Sequence, residues 1–221
     1  MEAAKVKGFD SIEAVLSAQK QIKASSSMSN HTLNHKEKSM ITNENAIKKL
    51  DQILNLAKIK DLDSSSISEI WNSYLSEKGS LSATISGQTW AKQVLNLTKY
   101  PTFLLTLPLD ESFQFYFMEF SKNSIHLTDL LNYQTRGSLA KPNLQIHFYT
   151  ELVSDKDLVL MKADILDSTF DIKNAQYLIY QIQYWYYIGQ ESTLDIIRNF
   201  HSDPKNFDYK WITEYDYFKK C

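Results

Sequence analysis

His31 and His35, in "SNHTLNHKEK", have the i, i+4 spacing that sets two imidazoles on one helix face for a metal ion. Their surroundings are polar and rich in Ser and Asn, with no third ligand near, so the pair reads as solvated chain. His126 and His147 fall at the end and on the polar face of expected strands. No motif sets a nucleophile beside either one, and both read as structural. The acids of "ELVSDKDLVLMKAD" (Glu151, Asp155, Asp157 and Asp164) could in pairs exchange protons with a substrate. Asp155, Lys156 and Asp157 sit where a hairpin turn is expected, however, and a turn is charged because it is wet. Five glycines leave no phosphate loop or dinucleotide fingerprint. The nucleophile elbow, HExxH and paired Cys-x-x-Cys patterns are also missing. Asn30-His31-Thr32 and Asn96-Leu97-Thr98 match a glycosylation acceptor in a chain with no sign of secretion. No catalytic residue, metal ligand or cofactor is therefore assigned, and an enzyme would need a pocket near His147 and Glu151.

The other concentration of chemistry is aromatic. "YLIYQIQYWYYIGQ", residues 177–190, reads as the end of a helix beginning after Asp171. At ~100° per residue, Ala175, Leu178, Ile179, Ile182, Trp185 and Tyr186 share one side, the expected core face. Tyr177, Tyr180, Tyr184 and Tyr187 form a second stripe roughly opposite. Two readings stand: another helix covers that stripe, or part of it is open and meets a partner.

The elements that would carry these groups follow from composition and periodicity. The chain has 221 residues, 43% hydrophobic and 23% charged, with a formal charge of −2. That balance suits neither an electrostatic nucleic-acid binder nor a membrane-surface protein. Cys221 is the only cysteine, which excludes an internal disulfide. Apolar stretches such as Phe103 to Leu109 fall short of the ~20 residues that cross a bilayer, so a soluble protein without membrane insertion is expected. Residues 1–24 contain no Arg and include Glu2, Asp10 and Glu13, unlike an import signal.

An N-terminal amphipathic helix is expected within residues 1–24, from Ile12, Val15, Leu16 and Ile22, and a flexible linker over 25–45. Residues 46–66 read as a helix carrying Ile47, Leu50, Leu54 and Ala57, followed by a Ser-rich break. Ser66 and Glu69 have the form of a capping box for the next helix. A further helix covers roughly 87–98. Strands follow near 102–107, 113–120, 124–126, 143–151 and 157–165, with a helix over 128–135 and with Asp110, Glu111 and Ser112 as a turn. Helices over 172–188, 192–201 and near 209–218 close the chain. Helices, then consecutive strands, then helices give an α+β fold: a largely antiparallel sheet of about five strands, packed with helices and preceded by a helical N-terminal region.

The segments "YPTFLLTLPLDESFQFYFMEF", "LTDLLNYQTRGSLAKPNLQIHFYTELVSDKDLVLMKADI", "NAQYLIYQIQYWYY" and "FHSDPKNFDY" together resemble the mitochondrial assembly-factor family that chaperones the β subunit of the F-type ATP synthase catalytic head. The resemblance rests on Pro101 with Phe103 and Pro108, Tyr133-Gln134, Pro142 with Leu144, Tyr149-Thr150-Glu151-Leu152, Lys156 with Val159-Leu160-Met161, Ala175-Gln176 with Leu178, and Pro204 with Phe207. It covers about residues 67–218, and "GFDSIEAV" matches the family's N-terminal helix. Asp110 and Glu111 stand where the family pattern has a basic residue. The resemblance implies that residues 67–221 are an α+β chaperone domain of the mitochondrial matrix, without enzymatic activity or cofactor, monomeric when free. It further implies that the domain binds the unassembled β subunit, prevents its aggregation and releases it to the α subunit; on the open reading of the helical wheel, the stripe of Tyr177, Tyr180, Tyr184 and Tyr187 is the candidate contact. A scaffold for another partner is the alternative.

Overall fold

The computed structural model describes residues 47–109, 112–188 and 191–214. The expected N-terminal helix, the linker with His31 and His35, the turn residues Asp110 and Glu111, and Cys221 lie outside them. In chain order, a 3₁₀ turn (Leu50–Gln52) and one-turn helix α1 (Leu56–Ile59) precede α2 (Ser64–Glu77), β1 (Leu81–Ser86), α3 (Gly87–Lys99), β2 (Thr102–Pro108), β3 (Phe113–Ser121) and β4 (Ser124–Asp129). Then come α4 (Leu130–Arg136), β5 (Leu144–Tyr149), α5 (Val153–Lys156), β6 (Leu158–Ile165), α6 (Ile172–Gln183), a π-helical turn (Tyr184–Ile188), α7 (Glu191–Ser202) and α8 (Lys210–Thr213).

Six strands form one sheet in the order β1-β6-β5-β4-β3-β2, every pair antiparallel. The α+β class holds, with one strand more than the five expected. The additional strand is β1, whose Leu81, Ala83 and Ile85 alternate with Ser82, Thr84 and Ser86. The period of two is present but short and weakly apolar, and it is β6 alongside that makes the segment a strand.

One face of the sheet is apolar from edge to edge: Phe103 and Leu105 on β2, Met118 on β3, Ile125 and Leu127 on β4, and Ile146 and Phe148 on β5 are all buried. Trp90 of α3 stacks on Phe148 at 4.4 Å, and Trp185 meets Phe103 edge-on at 5.3 Å. The other face is mixed. Towards β6 it is covered by α2, whose Ile67, Trp71 and Leu75 pack with Tyr149, Leu158 and Leu160 in a second core cluster. The Trp71 indole N–H donates to the Met161 carbonyl at 2.9 Å, so this buried ring leaves no polar atom unpaired.

Two local expectations need correction. The helix read from Ala46 is broken into the 3₁₀ turn and α1, because Asn55 caps α1 by accepting from the Lys58 N–H. Leu50 and Leu54 are buried, whereas Ile47 and Ala57 are exposed. The cap of α2 is Asp63, whose carboxylate accepts from the Ser66 N–H at 2.7 Å. A carboxylate three residues upstream takes that donor, so the capping box at Ser66 and Glu69 does not form. Asp155, Lys156 and Asp157 do join two strands as expected, through α5 and a left-handed Asp157 at φ 49°.

Candidate functional site

Helix α6 and the π turn hold the tyrosine stripe. Trp185 and Tyr186 are fully buried, as their place on the wheel requires, and so are Leu178 and Ile182. Tyr177 and Tyr180 are half-buried and pack against the main core, and Tyr184 is 5% exposed. Tyr187 is 42% exposed and Ile188 beside it 51%.

The departure from a simple stripe has a local cause. Tyr184, Trp185 and Tyr186 are three consecutive buried residues, which at α-helical pitch would span ~200° of the wheel. The wider i→i+5 turn narrows that arc and swings Tyr187 off the line of Tyr177, Tyr180 and Tyr184. Asn96 of α3 donates to the Tyr186 carbonyl at 3.0 Å, and the Tyr186 hydroxyl donates to the Tyr100 carbonyl at 2.9 Å. The Asn96 amide of the glycosylation-like triplet therefore has a structural partner.

This aromatic end of the molecule also closes one edge of the sheet. Gln181 is 0% exposed. Its Oε1 accepts from the Thr106 N–H at 3.2 Å, and its Nε2 donates to the Thr106 carbonyl at 2.6 Å. One side-chain amide thus does for β2 what a neighbouring strand would do. His201 adds a bond between Nε2 and the Thr102 carbonyl at 2.7 Å, which places the proton on Nε2. Pro101 and Pro108 stand at the two ends of the strand.

The opposite edge, β1, is built differently. The Gly87 N–H donates to the Asp157 carbonyl at 3.1 Å, which makes that pair a hydrogen-bonded one. Bonded and non-bonded pairs alternate along an antiparallel ladder, so Leu81, Ala83 and Ile85 turn their backbone groups towards β6, and Ser82 and Thr84 turn theirs away. Among the described residues nothing hydrogen-bonds those outward groups. Beside them lies a cavity of about 250 Å³ lined by Thr84, Ile85, Thr89, Gln183, Tyr187 and Ile188, among others. Thr84 and Ile85 belong to opposite faces, so this cavity straddles the strand edge.

A third feature is a groove across the mixed face, between α2 and α4. Cavities of about 410 Å³ and 290 Å³ meet at Gln145 and Leu166. His126, His147, Lys162 and Asp164 line it. Burial holds the imidazoles of His126 and His147 below the usual histidine range, with the Glu151 carboxylate acting the other way on His147. His147 Nδ1 lies 2.7 Å from Ser124 Oγ, its direct cross-strand neighbour. Ser124 is only 2% exposed, which suits a structural bond better than a nucleophile. Glu151 is exposed and does not line the groove, although its carboxylate is near enough to act on the His147 imidazole. Among the described residues no group of three or more His, Cys, Asp or Glu could hold a metal ion, and no helix is long and apolar enough to cross a membrane.

Sequence reasoning found the aromatic segment and His147, and it missed Gln181, His201 and the β1 edge. A buried glutamine among tyrosines was the available signal for Gln181. For β1 it was the alternation from Leu81 to Ser86.

Comparison with known proteins adds a family. The family model described as ATP11 protein matches residues 2–212. The chain is 33% identical over 162 residues to the Danio rerio protein named ATP synthase mitochondrial F1 complex assembly factor 1, covering 73% of this chain and 54% of that protein. It is 32% identical over 163 residues to the Homo sapiens protein of the same name, covering 73% and 49%. To the Schizosaccharomyces pombe protein named Protein atp11, mitochondrial, it is 28% identical over 151 residues, covering 66% and 53%. The chain spans about half the length of these curated relatives.

Proposed function

This chain belongs to the ATP11 protein family, and we propose that it is an assembly chaperone of the mitochondrial F-type ATP synthase. It acts in the matrix as a monomer when free, binding the unassembled β subunit of the catalytic head, preventing its aggregation and releasing it to the α subunit. It does so without catalysis.

The observation that carries this reading is the open apolar surface at the π turn, where Tyr187 and Ile188 stand next to an unpaired strand edge. A subunit awaiting assembly exposes an apolar interface that otherwise aggregates. Broad amphipathic rings suit transient cover, since they tolerate water when free and bury large area when bound. In the tyrosine stripe, contact centres on Tyr187 and takes in the accessible parts of Tyr177 and Tyr180, with Tyr184 supporting them from beneath.

Light scattering of isolated β subunit diluted from denaturant tests the reading. The chain suppresses aggregation and co-purifies with the subunit. Tyr187→Ala with Ile188→Ala weakens both effects while leaving the thermal midpoint nearly unchanged. A chain that neither binds nor protects the subunit refutes the proposal.

A further inference from the structure

We propose that β1 takes one extended segment of the unassembled subunit as a seventh strand, hydrogen-bonded to the outward backbone groups of Ser82 and Thr84. The inference rests on the chaperone reading and specifies how the partner is held.

Proteins guard sheet edges with proline, charge or a covering side chain, because an unpaired row of N–H and C=O groups captures any extended chain. At β2 all but charge are present: Pro101 and Pro108 flank the strand, Gln181 takes both outward groups of Thr106, and His201 takes the Thr102 carbonyl. At β1 none is present. Leu81–Ser86 contains neither proline nor a charged residue, and among the described residues no side chain pairs with the outward groups. In one sheet, one edge is guarded in two ways and the other is left bare beside exposed Tyr187 and Ile188.

The geometry states what fits there. The chain enters β1 through a left-handed Gly79 and leaves it at the start of α3, so the edge accommodates about five partner residues at ~3.3 Å each. Ser82 and Thr84 each offer one N–H and one C=O, four backbone bonds in all, which suits a contact that must later be released. Partner side chains on the side of Ile85, Tyr187 and Ile188 are apolar, and those on the side of Ser82 and Thr84 are small or polar. Every residue lining the cavity is uncharged, from Thr84 and Ile85 through Gln93 and Gln183 to Tyr187 and Ile188, so the segment is uncharged at its centre. It carries no proline where its N–H must meet the edge. Unpaired strands of an incompletely assembled subunit are among the features that drive aggregation, and pairing one of them removes that route.

Amide hydrogen exchange with and without isolated β subunit tests the proposal, together with the variants Thr84→Pro and Ser82→Lys. In the free chain the Ser82 and Thr84 amides exchange fast and those of Ala83 and Ile85 slowly, and on complex formation the first pair becomes protected. Thr84→Pro removes an outward donor, and Ser82→Lys adds charge while keeping its backbone N–H, at the loss of the Ser82 Oγ bond to Asn72. Each weakens binding at least about tenfold, and Ser82→Lys keeps the test valid if the proline variant does not fold. Slow Ser82 and Thr84 amides in the free chain overturn the inference, because the edge is then filled by another part of this chain or by a second copy. A complex in which those amides stay fast, or in which Ser82→Lys binds as wild type, overturns strand addition and leaves the chaperone reading standing. Absence of any complex removes both.

Discussion

The two edge strands of this sheet differ in the opposite sense from their sequences. β2 is the more apolar, with Phe103, Leu104, Leu105 and Leu107 all buried, yet it is the edge that is closed to other chains. β1 is half-buried and rich in Ser and Thr, yet its outward backbone groups meet no partner among the described residues. What separates them lies elsewhere in the chain: Gln181 and His201, which are 75 and 99 residues from the threonines they bond. An edge is sealed or left open by what tertiary packing brings beside it.

The largest expected effect breaks the sealed edge. Gln181→Leu strands a buried N–H and C=O of Thr106, for a loss of about 3 kcal/mol at ~1–3 kcal/mol per unsatisfied group. Chemical denaturation reads the loss, and size-exclusion chromatography reads any new self-association of β2. Gly79→Ala perturbs the approach to the open edge. Gly79, at φ 70°, ends α2 with its N–H on the Ser76 carbonyl while Ser80 bonds back to Leu75. A side chain there costs about 1 kcal/mol, measured as a lower unfolding midpoint.

Acidification acts between the edges. Burial keeps His126 and His147 neutral below the usual histidine range. As pH falls through ~6.5 the unfolded chain takes up protons that the folded chain refuses. Stability therefore declines from there down to the lowered folded values, and His126→Gln with His147→Gln flattens the decline in a pH series of melts. The smallest expected effect sharpens the comparison most. Ser82→Lys, on the open edge, loses the exposed Ser82 Oγ bond to Asn72 and sets a like charge opposite Lys162, and costs no more than about 1 kcal/mol. A loss as large as that of Gln181→Leu would mean that β1 is covered after all.

Much of the fold was legible in the sequence. The strand of Leu144, Ile146 and Phe148, with Gln145 and His147 on its other side, has the burial its alternation announces. Helices α6 and α7 lie where apolar periodicity put them. The resemblance carried by Pro101, Tyr133-Gln134 and Tyr149-Thr150-Glu151-Leu152 is met by a family match over residues 2–212. β1 was passed over because six weakly apolar residues between two helices give too little signal. The cap of α2 was placed three residues late, because Asp63 and the serines after it are all competent caps and only geometry chooses.

The candidate site was legible in part. The wheel set Trp185 and Tyr186 in the core correctly, but it assumed one pitch throughout. The π turn that buries Tyr184 beside them and turns Tyr187 outward is met by Asn96, whose side-chain amide donates to the Tyr186 carbonyl from 90 residues away.

By itself the sequence determined which segments become helices and strands, which strand faces are apolar, and which family the chain belongs to. Each of these is written in residue types and in periods of two or 3.6 within a short window. Only the tertiary structure decided which strands stand at the edges, which of them is sealed, and which tyrosine remains accessible. Those outcomes depend on hydrogen bonds and packing between residues far apart in the chain, whose pairing no local period encodes.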